Sequence, residues 1–246
     1  EAWIATPARQ AARDLPRRMF LYRTFLQARR IAAAARQWRG GTLLVVVGEF
    51  HKHDLEAILA DDPGIALVAP STFGTPSADE AGRATTRAHR IAVASFNLLG
   101  VQAATGNVDR DWVGRELDAL ERERRDPETA LLRTRHDLLG GRIDHAAAAA
   151  RYRAIAADGD AVRRFTWDGV RDRNRLDSYF DPFGNLRVDQ RARLELARTL
   201  HALGDRVGGD AMLDALRDEL APRQARQFDA YRAREADAVA GPVPAR

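Results

Sequence analysis

The densest group of chemically capable side chains lies between Gly48 and His53, in the stretch GEFHKH. It contains one carboxylate, Glu49, two imidazoles, and Lys52, which is the only lysine of the chain. A carboxylate beside an imidazole can move a proton to and from a substrate, so Glu49 and His51 are candidate catalytic residues for acid–base hydrolysis. The compact, movable ammonium of Lys52 makes it a candidate binding residue.

The two histidines of this stretch also suit a metal ion. Side chains two positions apart point the same way on an extended strand, so His51 and His53 would share one divalent cation there. The alternative is structural: Glu49 and His53 cap the helix that follows, and His51 is solvated or hydrogen-bonded. The residue types alone leave both the divalent-metal cofactor and the structural alternative open.

A second candidate surface lies in the segment 163–187, where aromatic residues and arginines are interleaved. Arginines beside aromatic rings are typical of peptide- and ligand-binding surfaces. The alternative is that the same rings fill a core and the same arginines form ion pairs along a solvated helix face. The candidate binding residues of this segment are Trp167, Arg171, Arg173, Arg175 and Tyr179.

The pattern on either side of the GEFHKH stretch predicts the elements that would position it. A helix is expected to begin near Asp14 and to lead to the apolar run 43–47, which predicts a buried strand. A second helix from about His53 to Ala60 leads to a second buried strand at residues 65–69. Strands that are apolar on both faces are typical of parallel sheets covered on both sides. Two such strands do not form a stable sheet alone, so the sequence predicts that other residues or a partner chain complete it.

The rest of the chain carries amphipathic helical patterns that begin after a Pro-, Gly- and Ser-rich stretch, residues 70–82, which predicts a domain boundary. Glycine turns at Gly106, Gly141 and Gly204 each stand before a helix with an acidic cap, and they are spaced 35 and 63 residues apart. Such spacings are typical of stacked helix pairs. The alternative is an irregular helical bundle. Residues 88–159 and 188–220 resemble tetratricopeptide-like repeats, which implies a surface that binds another protein.

The motif GEFH at residues 48–51, with the arginine-rich helix RDLPRRM before it, resembles the carboxyl-terminal half of the erythromycin-esterase, ChaN-like and TraB superfamily. The resemblance covers about residues 9–70 and implies a larger sheet with a second copy of the motif, lying upstream of Glu1. It also implies functional roles for Glu49, His51 and either Arg13 or Arg17.

The amino-acid composition argues against several classes of protein. With 45% hydrophobic residues, the 246-residue chain can bury a core. Its net charge of +4 comes from basic residues interleaved with 35 acidic ones, a pattern typical of solvated helix faces rather than of nucleic-acid binding. The absence of cysteine excludes disulfides and thiolate catalysis, and no apolar run is long enough to cross a bilayer. The first residue is not methionine, which predicts a periplasmic protein if a signal peptide has been removed.

Taken together, these patterns predict a mainly α protein. An α/β segment of parallel strand–helix–strand type is expected over residues 1–74, antiparallel tetratricopeptide-like helix pairs over residues 75–241, and a flexible tail over residues 242–246. The predicted function is protein–protein interaction through the helical repeats. The alternative is a metal-dependent or acid–base hydrolase that uses Glu49 and His51 and is completed by upstream or partner residues.

Overall fold

The computed structural model describes residues 2–105, 108–167, 169 and 172–240; the side chains of residues 1–16, 101, 104 and 235–240 are not described. The chain forms two compact units, Glu1–Ser77 and Ala78–Arg246. The described residues contain ten α-helices and no β-strand, so the prediction of a mainly α protein is confirmed. The predictions made for Gly106, Arg171 and the tail 242–246 fall outside the described residues.

The N-terminal unit is a pair of helices, α1 (Ala2–Gln37) and α2 (Glu49–Ala60). The predicted start of α1 near Asp14 is wrong, because alanine, arginine and glutamine residues of high helix propensity continue the helix back to Ala2. Pro16 therefore lies inside the helix. The two helices pack through a small apolar cluster of Ala28, Ile31, Leu55, Leu59 and Ile65.

The α/β prediction for residues 1–74 is wrong. Residues 42–48 and 65–69 belong to no helix or strand and make no β-bridge, and α2 begins at Glu49, four residues before the predicted start. The β-branched residues of these segments favour extended backbone, yet a strand exists only where a second backbone accepts and donates its hydrogen bonds. The described residues supply no such neighbour.

The C-terminal unit, here called the helical unit, contains the remaining eight helices. The amphipathic pattern over residues 210–239 forms two helices, because Pro222 has no N–H to donate inside a helix and instead occupies the first turn of a new one. The helices are α3 (Ala78–Ala84), α4 (Arg87–Leu99), α5 (Arg110–Glu123), α6 (Pro127–Leu139), α7 (His145–Ala156), α8 (Val188–Ala202), α9 (Arg206–Asp218) and α10 (Pro222–Ala240).

Acidic side chains start the second helix of each pair. Asp109, Asp144 and Asp205 each accept a hydrogen bond from the backbone N–H three residues further on, at the first turns of α5, α7 and α9. Such a cap satisfies one of the backbone donors that a helix leaves unpaired at its start. The predicted acidic caps are therefore confirmed.

The order of helix contacts is that of stacked pairs. The first helix of each pair contacts its own second helix and also the first helix of the next pair: α4 packs on α5 and α6, and α6 packs on α7 and α8. The second helices close the stack, because α5 packs on α6 and α7 packs on α8. The segment 163–187 stands between α7 and α8 and adds apolar residues to the core, among them Phe165, Leu176, Phe183 and Leu186.

A buried arginine joins the parts of the helical unit. Arg191, on α8, has only 2% of its surface exposed. Its guanidinium donates to Glu195 at 2.8 Å, to Asp181 of the segment 163–187 at 2.5 Å, and to the carbonyl oxygen of Leu99 at the end of α4 at 3.0 Å. One side chain thus connects two helices and the intervening segment.

The carboxylate of Glu195 is held in its charged form by a ring of arginines. Burial alone would raise the pKa of Glu195, but attraction to Arg135, Arg198 and Arg191 outweighs burial and holds the pKa well below its usual range. Arg135 reaches Glu195 from α6 at 3.6 Å and Arg198 reaches it from α8 at 3.0 Å. A charge this deeply buried is tolerated because every side of it is paired.

Replacing Arg191 with methionine is expected to lower the free energy of unfolding by about 3–5 kcal/mol, because the change strands Asp181 in the interior without its cation. Urea denaturation followed by circular dichroism measures the loss. Arg223, which pairs with Asp172 on the surface at 3.4 Å, is the control. Arg223→Met should change stability by less than about 1 kcal/mol. Equal effects of the two substitutions would contradict the central role of Arg191.

Candidate functional site

The candidate catalytic stretch lies on the first turns of α2 rather than after a strand. Glu49 is the first residue of the helix, and His51 and His53 follow within the first two turns. Two positions along a helix rotate a side chain by about 200°, so the two imidazoles leave on opposite sides. The strand geometry on which the shared-metal prediction depended is therefore wrong. Within the described residues, no group of three or more His, Cys, Asp or Glu side chains could hold a metal ion.

His51 is nevertheless fixed by contacts from another helix. Its ring stacks on Phe20 of α1, with centroids 4.3 Å apart and planes 7° from parallel. Its Nδ1 lies 2.8 Å from the hydroxyl oxygen of Thr24, a fully buried residue one turn further along α1. No functional role was predicted for Phe20 or Thr24, and the only signal in the sequence was their four-residue spacing on one face of α1.

The contacts of Thr24 favour one of the two neutral tautomers of His51. A threonine hydroxyl has one hydrogen, and that of Thr24 is donated to the carbonyl oxygen of Phe20 at 2.9 Å. In that arrangement the Thr24 oxygen accepts, which favours Nδ1 of His51 as the donor in the Thr24–His51 hydrogen bond. The neutral ring keeps its lone pair on Nε2, where it can accept a proton or bind a ligand.

The other residues of the GEFHKH stretch lie on the surface. Glu49 and His53 are exposed, and Lys52 forms a surface ion pair with Glu56 at 2.8 Å. Arg17 is exposed, and the side chain of Arg13 is outside the described part of the chain. Of this stretch, His51 alone has a polar contact with α1 among the described side chains.

The segment 163–187 is anchored to the helical unit by a buried carboxylate. Glu128, fully buried in the first turn of α6, accepts from the backbone N–H of Thr166 at 2.8 Å and from its hydroxyl at 2.7 Å. Arg163 donates to the same carboxylate at 2.8 Å. Arg164 and Arg187, which lie near the two ends of the segment, are joined by an isolated antiparallel bridge. The segment is therefore held at both ends.

Most aromatic rings of this segment fill the interior. Phe165, Phe180 and Phe183 are buried, and Trp167 is half-buried and stacks on Phe180 with centroids 4.8 Å apart. Tyr179 is the exception, since 84% of its surface is exposed. The alternative in which the aromatic rings fill a core is therefore correct for the three phenylalanines, whereas Tyr179 lies on the surface.

The candidate binding arginines of the segment are on the surface. Arg175 is exposed and forms two hydrogen bonds of 2.7 Å with Asp177, which hold the pKa of that carboxyl below its usual range. Arg173 is exposed as well. Lys52 belongs to the other unit.

The helical unit also has a concave surface that was not predicted from the sequence. It is a groove of about 520 Å³ lined by residues of α5, α6 and α7. Its sides carry the small residues Ala130 and Ala154, and Ile155 and Thr129 form part of its lining. Larger side chains at positions 130 and 154 would fill this groove. The signal in the sequence was therefore the presence of alanine at both positions.

The charges along this groove are almost all paired. Arg133 donates to Glu121 at 2.9 Å, and Arg151 donates to Asp137 at 2.9 Å. Arg125, on the short link between α5 and α6, is exposed and forms no ion pair with any described residue. The groove therefore presents an apolar lining next to one guanidinium that is free to bind an anion.

Comparison of the chain with protein-family models, with curated proteins and with solved structures found no match. The class of protein is therefore defined by the structure alone: an all-α protein with an array of stacked helix pairs, at least within the described residues. Among those residues, no helix combines the length and the apolar content that a membrane span requires.

The Thr24–His51 contact predicts a defined tautomer for this histidine. Nitrogen NMR of the labelled protein is expected to show neutral His51 protonated at Nδ1. Thr24→Val removes the acceptor at nearly constant volume, so protonation at Nε2 should then increase. His53, which is exposed, serves as an internal reference and should not change. A His51 signal that is indifferent to the Thr24 substitution would contradict the assignment.

Proposed function

We propose that the helical unit is a protein-interaction module that holds a peptide segment of its partner in the groove between α5, α6 and α7. The observation that carries the proposal is the groove itself, which combines a small-residue lining with the unpaired Arg125. Stacked helix pairs commonly present such surfaces to other proteins without any chemistry. The predicted resemblance to tetratricopeptide-like repeats is consistent with the proposal.

Two properties of the groove favour a peptide over a flat protein surface. Its volume of about 520 Å³ is enough for one or a few side chains, which is the usual size of a side-chain or small-ligand pocket. Its rim is stiff, because Asp126 beside it is hydrogen-bonded to the first turn of α6 and paired with Arg87 at 3.0 Å. A rigid groove loses little conformational entropy when it binds.

The groove can be tested with a random peptide library selected on the immobilised chain, followed by titration of the recovered peptides. Arg125→Glu is expected to weaken their binding about tenfold, because it reverses the one unpaired charge at the groove. Arg122 is the matched control: it is exposed near the end of α5 and is not part of the groove. Arg122→Glu should leave the affinity unchanged.

A second pair of variants tests the shape of the groove. Ala154→Trp fills it and is expected to abolish binding, whereas Ala215→Trp adds the same ring to an exposed position of α9. Peptides that bind all four variants as tightly as the wild type would overturn the proposal.

A second candidate function is hydrolysis by Glu49 and His51, and one observation favours it. Thr24 and Phe20 hold the His51 ring in place with Nε2 as its proton acceptor, which is the arrangement a general base requires. The resemblance to the esterase and TraB superfamily would place Glu49 beside it in function. A divalent metal bound at Nε2 is part of this candidate.

Hydrolysis is tested with a panel of ester and peptide substrates, with and without added divalent metal. His51→Ala and Glu49→Gln are expected to abolish any activity found. His53→Ala is the matched control, because His53 is an exposed histidine of the same helix, and among the described residues it has no hydrogen bond to α1. Activity that survives His51→Ala would exclude this candidate.

A further inference from the structure

The long helix α1 has two apolar faces, and α2 packs on only one of them. Thr24 is buried on the side that packs on α2. At about 100° per residue, Met19, Tyr22, Leu26 and Ala33 project within about 40° of the direction opposite Thr24. Met19 and Tyr22 are 53% and 59% exposed, Ala33 is exposed and Leu26 is half-buried. These four residues, here called the outer strip, form an apolar band on the side of α1 that faces away from α2.

Arginines border the outer strip along both edges. In the same projection Arg18 and Arg29 follow on one side and Arg23 and Arg30 on the other, with about 20° between neighbouring positions. All four are exposed, and the described ion pairs of the N-terminal unit involve none of them. The surrounding residues 15–48 contain seven arginines and no acidic residue. Positive charge is therefore segregated on this helix, whereas elsewhere the chain mixes its arginines with acids.

An apolar strip between two rows of arginine matches the chemistry of an anionic lipid surface. In a helix that lies in the membrane interface, apolar side chains enter the boundary between headgroups and acyl chains. Arginines at the edges of the strip keep their guanidinium groups at the level of the lipid phosphates, while their alkyl stems cover apolar surface. A tyrosine such as Tyr22 suits the same level, because its ring is apolar and its hydroxyl is polar.

We propose that the outer strip and its four bordering arginines dock the protein on an anionic membrane surface. Docking of this kind is peripheral, because the helix lies along the bilayer rather than across it. The charge complementarity is direct: the acid-free helix presents guanidinium groups on both sides of the strip, and the lipid headgroups present phosphates on both sides of the inserted side chains. The proposal concerns the N-terminal unit alone, so it is independent of the function proposed for the helical unit.

Two other partners fit this face less well. A nucleic acid would pair its phosphates with the arginines, but its backbone offers no apolar surface to Met19 and Leu26 in the middle of the face. A protein of defined sequence would be recognised by hydrogen bonds as well. The outer strip supplies no amide, carboxylate or imidazole for them. An anionic bilayer is the partner that uses both the strip and its borders.

Vesicle flotation of the full chain tests the docking. The protein is expected to float with vesicles of phosphatidylcholine and phosphatidylglycerol in equal amounts, and not with vesicles of phosphatidylcholine alone. High salt should weaken the binding, because it screens the attraction between guanidinium and phosphate groups. A chain that floats with neither kind of vesicle, or equally with both, would overturn the proposal.

Charge-reversal variants test the borders of the strip. Arg23→Glu with Arg30→Glu is expected to weaken binding to the mixed vesicles about tenfold or more, because it reverses one border. The matched control is Arg115→Glu with Arg122→Glu, which makes the same change at two exposed arginines of α5 and should bind as the wild type does. Equal losses in the two double variants would contradict a specific role of α1.

Serine variants separate a bilayer from a nucleic acid. Met19→Ser with Tyr22→Ser keeps every charge but removes apolar side chains, so binding to the mixed vesicles should fall about tenfold. Circular dichroism shows whether the helices remain folded. Vesicle binding that is unchanged in this folded variant would overturn the proposal, as would a wild type that binds a DNA duplex but no vesicles.

A dye attached at a single position tests which face meets the bilayer, and the cysteine-free chain permits such labelling. An environment-sensitive dye on Ala33→Cys is expected to shift its emission to the blue when mixed vesicles are added, because the dye leaves water. The same dye on Glu56→Cys, an exposed position of α2, should not change. A shift at Glu56 without one at Ala33 would overturn the assignment of the face.

Discussion

The helical unit depends on a guanidinium that water does not reach. Arg191 is surrounded by the carboxylates of Asp181 and Glu195 and by the carbonyl oxygen of Leu99, so α8, α4 and the segment 163–187 meet at one charge. Removing an arginine from water is costly, and the cost is offset only where the charge is fully paired. The contact also fixes the geometry, because a planar guanidinium accepts partners in few directions. Stacked helix pairs that would otherwise contact only their neighbours are thereby joined across the unit.

The sequence predicted the helices of this unit well because their signals are local. The acidic caps Asp109, Asp144 and Asp205 and the helical spacing of leucines act within a few residues. It could not predict the buried network, because Arg191 and Glu195 are spaced like an ordinary surface pair on a solvated helix. Their burial is decided by residues far away in the chain, and the same holds for Glu128 under the segment 163–187.

The predictions for the N-terminal unit were less accurate, because they depended on residues that are distant in the chain. Apolar and β-branched residues predicted strands at 43–47 and 65–69, and these predictions are wrong because strands need partners that local patterns do not contain. The prediction of chemistry selected His51 by residue type, while the group that orients it, Thr24, is 27 residues earlier in the chain. Glu49 and His53, chosen for the same reasons, lie on the surface. The types of reactive residue were thus visible in the sequence, and their positioning was not.

The single lysine gives the molecule an unusual chemical asymmetry. All other side-chain cations of the chain are guanidinium groups or imidazoles, and Lys52 lies exposed on α2 beside Glu56. Reagents and enzymes that attack primary amines therefore find one side chain to modify, and it lies on the unit that does not carry the groove. A dye or surface tether can therefore be attached to the side chain of Lys52 without chemical modification of any residue of the helical unit.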